Sequence, residues 1–585
     1  MNYALGTRNF CTILMSSKKK NSSALDFFLA SKNMHWIPVG ASVFATNIGS
    51  GNFVGLAGSG AASGIGVASF ELNAIFVLIL LAWVFIPVYM AAEVNTMPEY
   101  LTKRFGGDRI RICIAVLSLL LYIFTKIAAD LYAGALFIQL ALGYDGDQGE
   151  FVSIFILLLV AAGFTIAGGL SALMWADLVQ TVLMVIGAVG LMILSFRAVG
   201  GYNELVRKYV ADEASGNAST CGVLPGYSMH LFRPILPGES DLPWTGMLTG
   251  MTISSIWFWC ADQVTVQRVL AAKSLTHAKA GCLFAAVLKF LPMYLVVFPG
   301  MAARILYKNT VACSTPEVCS KVCGSKSGCT NIAYPELVLN LLPVGLTGTM
   351  VAVMLAAILC SLTSIFNSAS TIFTMDIWSK IRKQASDVEL LVVGRVSIVV
   401  LLAISVAWVP ILRELRSAEL FVYVNQVANF LAPPITAIFM MAILIPRTTE
   451  EGAFWGLMIG LFLGVARFVL EYCFPAPLCS LGLIDTRARW IKWFVDDIHY
   501  LHYGLLLFLV TFAITLTISL ISQPTPATEL IKLTFWTRHN VNTSEQPEVQ
   551  EDKDAIIETE LEKRLTNSCA IVLLVATVSI FVYYA

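Results

Sequence analysis

Long apolar runs without charge constrain this chain more than any other feature. Asn73 to Ala92 and Phe151 to Ala167 contain no Asp, Glu, Lys or Arg, and they reach or approach the ~20 residues that cross a bilayer core. The runs are continuous rather than alternating, which excludes a transmembrane β-barrel. Only 13% of the 585 residues are charged, against about 25% in soluble domains. The chain reads as an all-α polytopic membrane protein. Its formal net charge is zero, so no basic surface argues for nucleic acid.

Hydropathy places spans near 36–58, 64–92, 110–142, 151–168, 175–199, 243–272, 276–306, 346–377, 388–409, 418–446, 451–474, 500–522 and 567–585. Lys and Arg set their direction, because short cytoplasmic loops are basic. One set of alternating loops holds Lys18, Lys19, Lys20, Lys32, Lys103, Arg104, Arg109, Arg111, Lys273, Lys279, Lys380, Arg382, Lys383 and Arg447. The opposite set holds Cys221, Cys313, Cys319, Cys323, Cys329 and Cys479, together with the glycosylation sequon at Asn217. Disulfides are favoured over a zinc site there, since the cysteine-rich loop lacks histidine and lies on the oxidising side. The basic loops therefore face the cytoplasm and the C-terminus lies outside, as expected of a multi-pass plasma-membrane protein. Residues 1–16, interrupted by Arg8, read as the stump of a first helix or a weak anchor, and Glu548 to Thr566 as a solvated or surface-lying helix.

Two spans carry helix-breaking clusters. Ala45 to Asn52 is rich in Gly and short polar residues, and so is Thr252 to Gln263 around its aromatic residues. Each opens a group of five spans. Backbone freed in hydrocarbon is tolerated only where it lines a cavity or meets an ion, and paired interruptions point to an inverted-repeat carrier with a midplane site. Packing through small residues is the competing explanation. Glu71, Lys126, Asp130, Asp177, Asp262 and Lys289 are ionisable residues within apolar spans, where such groups normally face a cavity or a partner. Glu71 with Lys289 is a candidate structural pair. Lys126 and Asp130, four apart, are expected to pair locally, and Asp177 and Asp262 lie near predicted span ends, where interfacial water is the alternative. Cys360-Ser361-Leu362-Thr363-Ser364 offers hydroxyls beside freed carbonyls, an oxygen set suited to an alkali cation. No nucleophile–base pair, metal-ligand spacing or nucleotide loop indicates an enzyme.

Several blocks resemble the sodium–glucose cotransporter family: Gly40-Ala41-Ser42 through Gly64, Thr96-Met97-Pro98-Glu99-Tyr100, Tyr122 to Lys126, Asp262-Gln263 with Val266-Gln267-Arg268, Thr363 through Asp376, and Gly452 to Gly456. The resemblance runs from about Phe27 to the C-terminus. It implies a LeuT-like five-plus-five inverted repeat, with a truncated N-terminal helix and segment over 1–35, repeats over 36–199 and 243–446, and an extracellular loop over 200–242. Additional helices follow over 447–522, then a cytoplasmic linker over 523–566 and a final span over 567–585. It implies a sodium site from the carbonyls of Ala45, Ile48 and Ala357 and the side chains of Cys360 and Ser361. A second cation position would involve Asp177, Thr363 and Ser364. Cys360 replaces the family's serine with a softer sulfur, and Trp175-Ala176 stands where Tyr-Thr is usual. For the solute, Asn47, Glu71, Trp259 and Lys289 match the expected contacts, whose amide, charged and indole groups suit a polyol. Asn52, Ser255, Phe258 and Asn425 depart from the family's histidine, threonine, tyrosine and glutamine. A site built to bind hydroxyls discriminates strongly when one such bond changes, so the expected solute class is a hexose, inositol or related polyol. Disulfides Cys221–Cys479, Cys313–Cys319 and Cys323–Cys329 follow from the same resemblance, as does a small single-span accessory membrane protein. The expected activity is sodium-coupled symport with sodium co-transported; a solute-gated channel, a sugar sensor or an inactive truncated isoform are the alternatives.

Overall fold

The computed structural model describes residues 24–142, 147–214, 226–236, 239–313, 316–323, 328–414, 420–477, 485–540 and 558–585. The proposed stump at 1–16, the sequon at Asn217, and Cys221 and Cys479 lie outside them. Among the described residues, ten helices are long and apolar enough to cross a membrane, and helix dominates because lipid offers no partner to an open backbone.

The first span is two helices, α1 (Trp36–Asn47) and α2 (Ser50–Ser63), separated by non-helical Ile48 and Gly49. Then come α3 (Ile65–Ala91) and α4 (Asp108–Gln139). The spans expected at 151–168 and 175–199 are two helices, together α5 (Asp147–Val199), separated at Gly169, whose φ of 65° and ψ of 176° favour glycine. The sixth span, over 244–261, accumulates π-helical turns and breaks at extended Asp262 before α6 (Gln263–Leu270). It is followed by α7 (Leu275–Leu306), α8 (Val344–Ile372), α9 (Asp387–Glu414), α10 (Leu420–Leu444), α11 (Glu450–Cys473) and α12 (Tyr500–Ile521). The last helix, α13 (Glu560–Tyr583), starts earlier than the expected 567. A Thr559–Glu562 capping box starts it, and an ion pair between Lys279 and Glu558 (2.5 Å) ties its root to α7. Glu560 to Thr566, the described helical part of the expected charged helix, are therefore the mostly exposed first turns of α13, and residues 548–557 lie outside the described residues.

Small residues let α1 approach α7 closely: a Cβ on Gly40 would fall 2.5 Å from the Gly281 carbonyl oxygen. The linker is partly folded as well. Phe535 N–H and the Trp536 indole donate to the Ile443 and Leu444 carbonyls, and Arg104 donates to those of Ala442 and Ile445. These donors satisfy carbonyls that the end of α10 leaves without intrahelical partners. At the opposite end, disulfides join Cys313 to Cys319 and Cys323 to Cys329, with Cα–Cα separations of 5.4 and 5.7 Å.

Candidate functional site

Where α1 stops at Asn47, the chain turns through Ile48 and Gly49 and restarts as α2. This break and the second one at Asp262 flank a cavity of about 190 Å³. The volume is below the roughly 300 Å³ of the smallest drug-sized pockets, so it suits a small solute. Asn47, Asn52, Glu71, Ser255, Phe258, Trp259 and Asn425 all line it. Lys289 lies behind that wall, fully buried, and reaches it through two partners. Its ammonium pairs with Glu71 at 2.5 Å, donates to Asn47 Oδ1 and lies 5.0 Å from the Trp259 ring centroid. Asn52 Nδ2 donates to the Asn47 carbonyl at 2.7 Å. Asn425 Nδ2 bonds back to Phe421 O at 2.8 Å, so the amide nitrogen is held by its own helix.

Thr46, Thr125, Lys126, Asp130, Ser254, Phe70 and Phe421 line the cavity too, and the family pattern had not assigned them. Phe70 and Phe421 meet edge to face, with centroids 5.0 Å apart. On another side, Lys126 pairs with Asp262, Tyr122 OH donates to the same carboxylate, and the Lys126 ammonium lies 4.3 Å from the Phe258 centroid. This corrects the expected Lys126–Asp130 pair. Residues 122–127 form a π-helical turn that shifts the i,i+4 register, and Lys126 turns to the broken sixth span instead. Interfacial water is also excluded for Asp262 and Asp177, which are only 3% and 1% exposed. Asp262 sits at a helix break inside the bundle, and Asp177 lies beyond the Gly169 kink against α1.

Ala45, Ile48, Ala357 and Ser361 are all buried. Gly49 stands against the last of them: a Cβ there would fall 2.9 Å from Ser361 Oγ and 2.8 Å from Asp130 Oδ1. Ser361 donates to Asp130 Oδ2. The Cys360 thiol lies near the Asp177 carboxylate. Asp177 accepts from Ser42 Oγ at 2.5 Å and lies 4.0 Å from the fully buried Arg268 guanidinium. Thr363 Oγ1 bonds back to the Cys360 carbonyl at 3.0 Å, and Ser364 Oγ is buried without a hydrogen-bond partner. Trp175 is 48% exposed, on the outer face of its helix. Carbonyls, a hydroxyl and a carboxylate around the first break are hard oxygen donors, the chemistry that holds alkali and alkaline-earth cations.

Two broken helices around a charged cavity define a carrier with the LeuT-like fold. A solved substrate-bound, outward-open Na+-coupled sialic acid symporter shares that fold, with a TM-score of 0.69 and 20% identity over 90% of this chain and 98% of its own. Among curated proteins, the chain is 51% identical over 516 residues to sodium/glucose cotransporter 4 of Danio rerio, covering 88% of this chain and 77% of that protein. It is 50% identical over 526 residues to human sodium/myo-inositol cotransporter 2, covering 89% and 76%. Residues 27–460 match the sodium:solute symporter family, and the chain belongs to it.

Proposed function

We propose that this protein imports a sugar or polyol together with sodium by alternating access. The observation that carries the reading is the cavity itself: amide, carboxylate, hydroxyl and indole groups converge on it, and the oxygen-rich first break opens on the same space. Hydroxyl-rich solutes need such a set, with donors and acceptors around the rim and Trp259 against the C–H face. The relatives named for glucose and for myo-inositol support the same class.

Sodium at Ala45, Ile48, Ala357 and Ser361 would bind α1 to α8 and favour the state in which the cavity accepts solute. An ion shifts such an equilibrium only by its differential affinity for the two states. The Lys126–Asp262 pair forms the floor and the Phe70–Phe421 pair the roof. The basic loops support a floor facing the cytoplasm, and the disulfide-bonded loop supports a roof facing outside. In that orientation α13 ends outside the cell. Uptake of labelled glucose, galactose and myo-inositol into cells expressing the full chain tests the function, with choline replacing sodium in the control. Uptake of at least one solute that requires sodium is expected; sodium-independent uptake, or none for any polyol, contradicts it.

A further inference from the structure

Asp130 is a charged residue of the cavity that belongs neither to the solute set nor to the sodium set. It sits on α4, is 6% exposed, and touches two other helices. Oδ1 accepts from Gly51 N–H at 3.5 Å in the first turn of α2, and Oδ2 accepts from Ser361 on α8. The glycine at 49 makes this approach possible, since a side chain there would collide with both Asp130 and Ser361.

The direction of the Ser361 bond matters for ion binding. A hydroxyl coordinates a cation through a lone pair, so its proton must go to another acceptor. In a transmembrane helix the usual acceptor for serine is the carbonyl four residues back. For Ser361 that carbonyl belongs to Ala357, an oxygen the sodium site itself requires. Other hydroxyls in these helices do bond back, Thr371 to Asn367 O and Thr46 to Ser42 O among them. Ser361 gives its proton to Asp130 instead, which leaves the Ala357 carbonyl and a Ser361 lone pair available together. Position 360 carries sulfur, so Ser361 supplies the one side-chain oxygen of the expected set.

We propose that Asp130 is the positioning residue of the sodium site: by accepting the Ser361 proton it aims the hydroxyl lone pair, and frees the Ala357 carbonyl, toward the ion. The proposal rests on the reading of Ser361 as a sodium ligand. The competing role is purely structural, with Asp130 serving only as acceptor for the start of α2.

Sodium activation of solute uptake separates the two, measured on the full chain in cells and normalised to surface protein. Asp130→Ala is expected to raise the half-activating sodium concentration roughly 10-fold or more, as loss of a ligand's orienting partner does at metal sites. Asp130→Asn keeps an acceptor oxygen and is expected to shift it less. In the Ser361→Ala background neither substitution should raise it further, because the hydroxyl to be aimed is gone. An undiminished shift in that background, or unchanged sodium activation in both single variants, overturns the proposal. If the alanine variant does not reach the surface, the asparagine variant carries the same cycle. Wild-type sodium activation in Ser361→Ala alone would remove the ligand reading and the proposal with it. Absence of any sodium activation in the unmodified chain would instead be a failure of the symport reading.

Discussion

The two broken helices of this protein are closed in opposite ways. The first break, at Ile48 and Gly49, has no charge of its own; oxygens surround it, from Asp130 and Ser361 on neighbouring helices. The second, at Asp262, carries its own carboxylate, already matched by Lys126 and Tyr122. A break that gathers hard oxygens from neighbouring helices is suited to receive a cation. A break whose charge is neutralised from within is suited to open and close. Under the proposed function, coupling falls to the first break and gating to the second.

Substitutions at the first break should have the largest effects. Lys289→Ala or Glu71→Ala leaves a buried charge unpaired, a loss of about 3–5 kcal/mol, so solute uptake should fall at least 100-fold while surface biotinylation still finds the protein. Normal uptake in either variant would reduce the pair to packing. At the second break, Lys126→Ala should cut coupled uptake roughly tenfold, equivalent to about 1.4 kcal/mol. It should also raise the sodium leak current under voltage clamp and leave the half-activating sodium concentration unchanged. A shift in sodium activation would blur the division between the breaks. Cys360→Ser should be smaller and opposite in sign, lowering the half-activating sodium concentration about threefold as a hard oxygen replaces a soft sulfur. No change would mean that position 360 serves only Asp177. Asp485, in the loop before α12, is a control remote from both breaks. Hydrogen bonds from Arg487 lower its pKa to about 2, so whatever it contributes is complete above the unfolded value near 4 and is lost only as pH falls through about 2. Asp485→Asn should therefore leave the pH profile of uptake above about pH 5 unchanged.

Much of this arrangement is legible in the residues. Gly49-Ser50-Gly51 in an apolar span is a helix break with little competition, and Asn47, Glu71 and Trp259 fall on the cavity as the family pattern implies. The ion pairs were harder to read. Lys126 and Asp130 have the spacing of a local pair, and only the π-helical turn over 122–127, which no simple residue pattern marks, sends Lys126 to Asp262. Asp177 looked interfacial because hydropathy starts the second span at 175, whereas the second helix already begins at Gly168, beside the Gly169 break, and packs Asp177 against α1. Phe70 and Phe421 gave no signal, since an aromatic residue in a membrane span is ordinary until its partner from another helix is known.

The most direct test of the account uses the purified protein in sealed liposomes. An inward sodium gradient is imposed, and the accumulation of labelled glucose and myo-inositol is followed together with the current. The account predicts that at least one of the two is concentrated above the bath, that the current accompanies it, and that both collapse when gramicidin dissipates the gradient. Equilibration indifferent to sodium, or a solute-evoked current without accumulation, would contradict it.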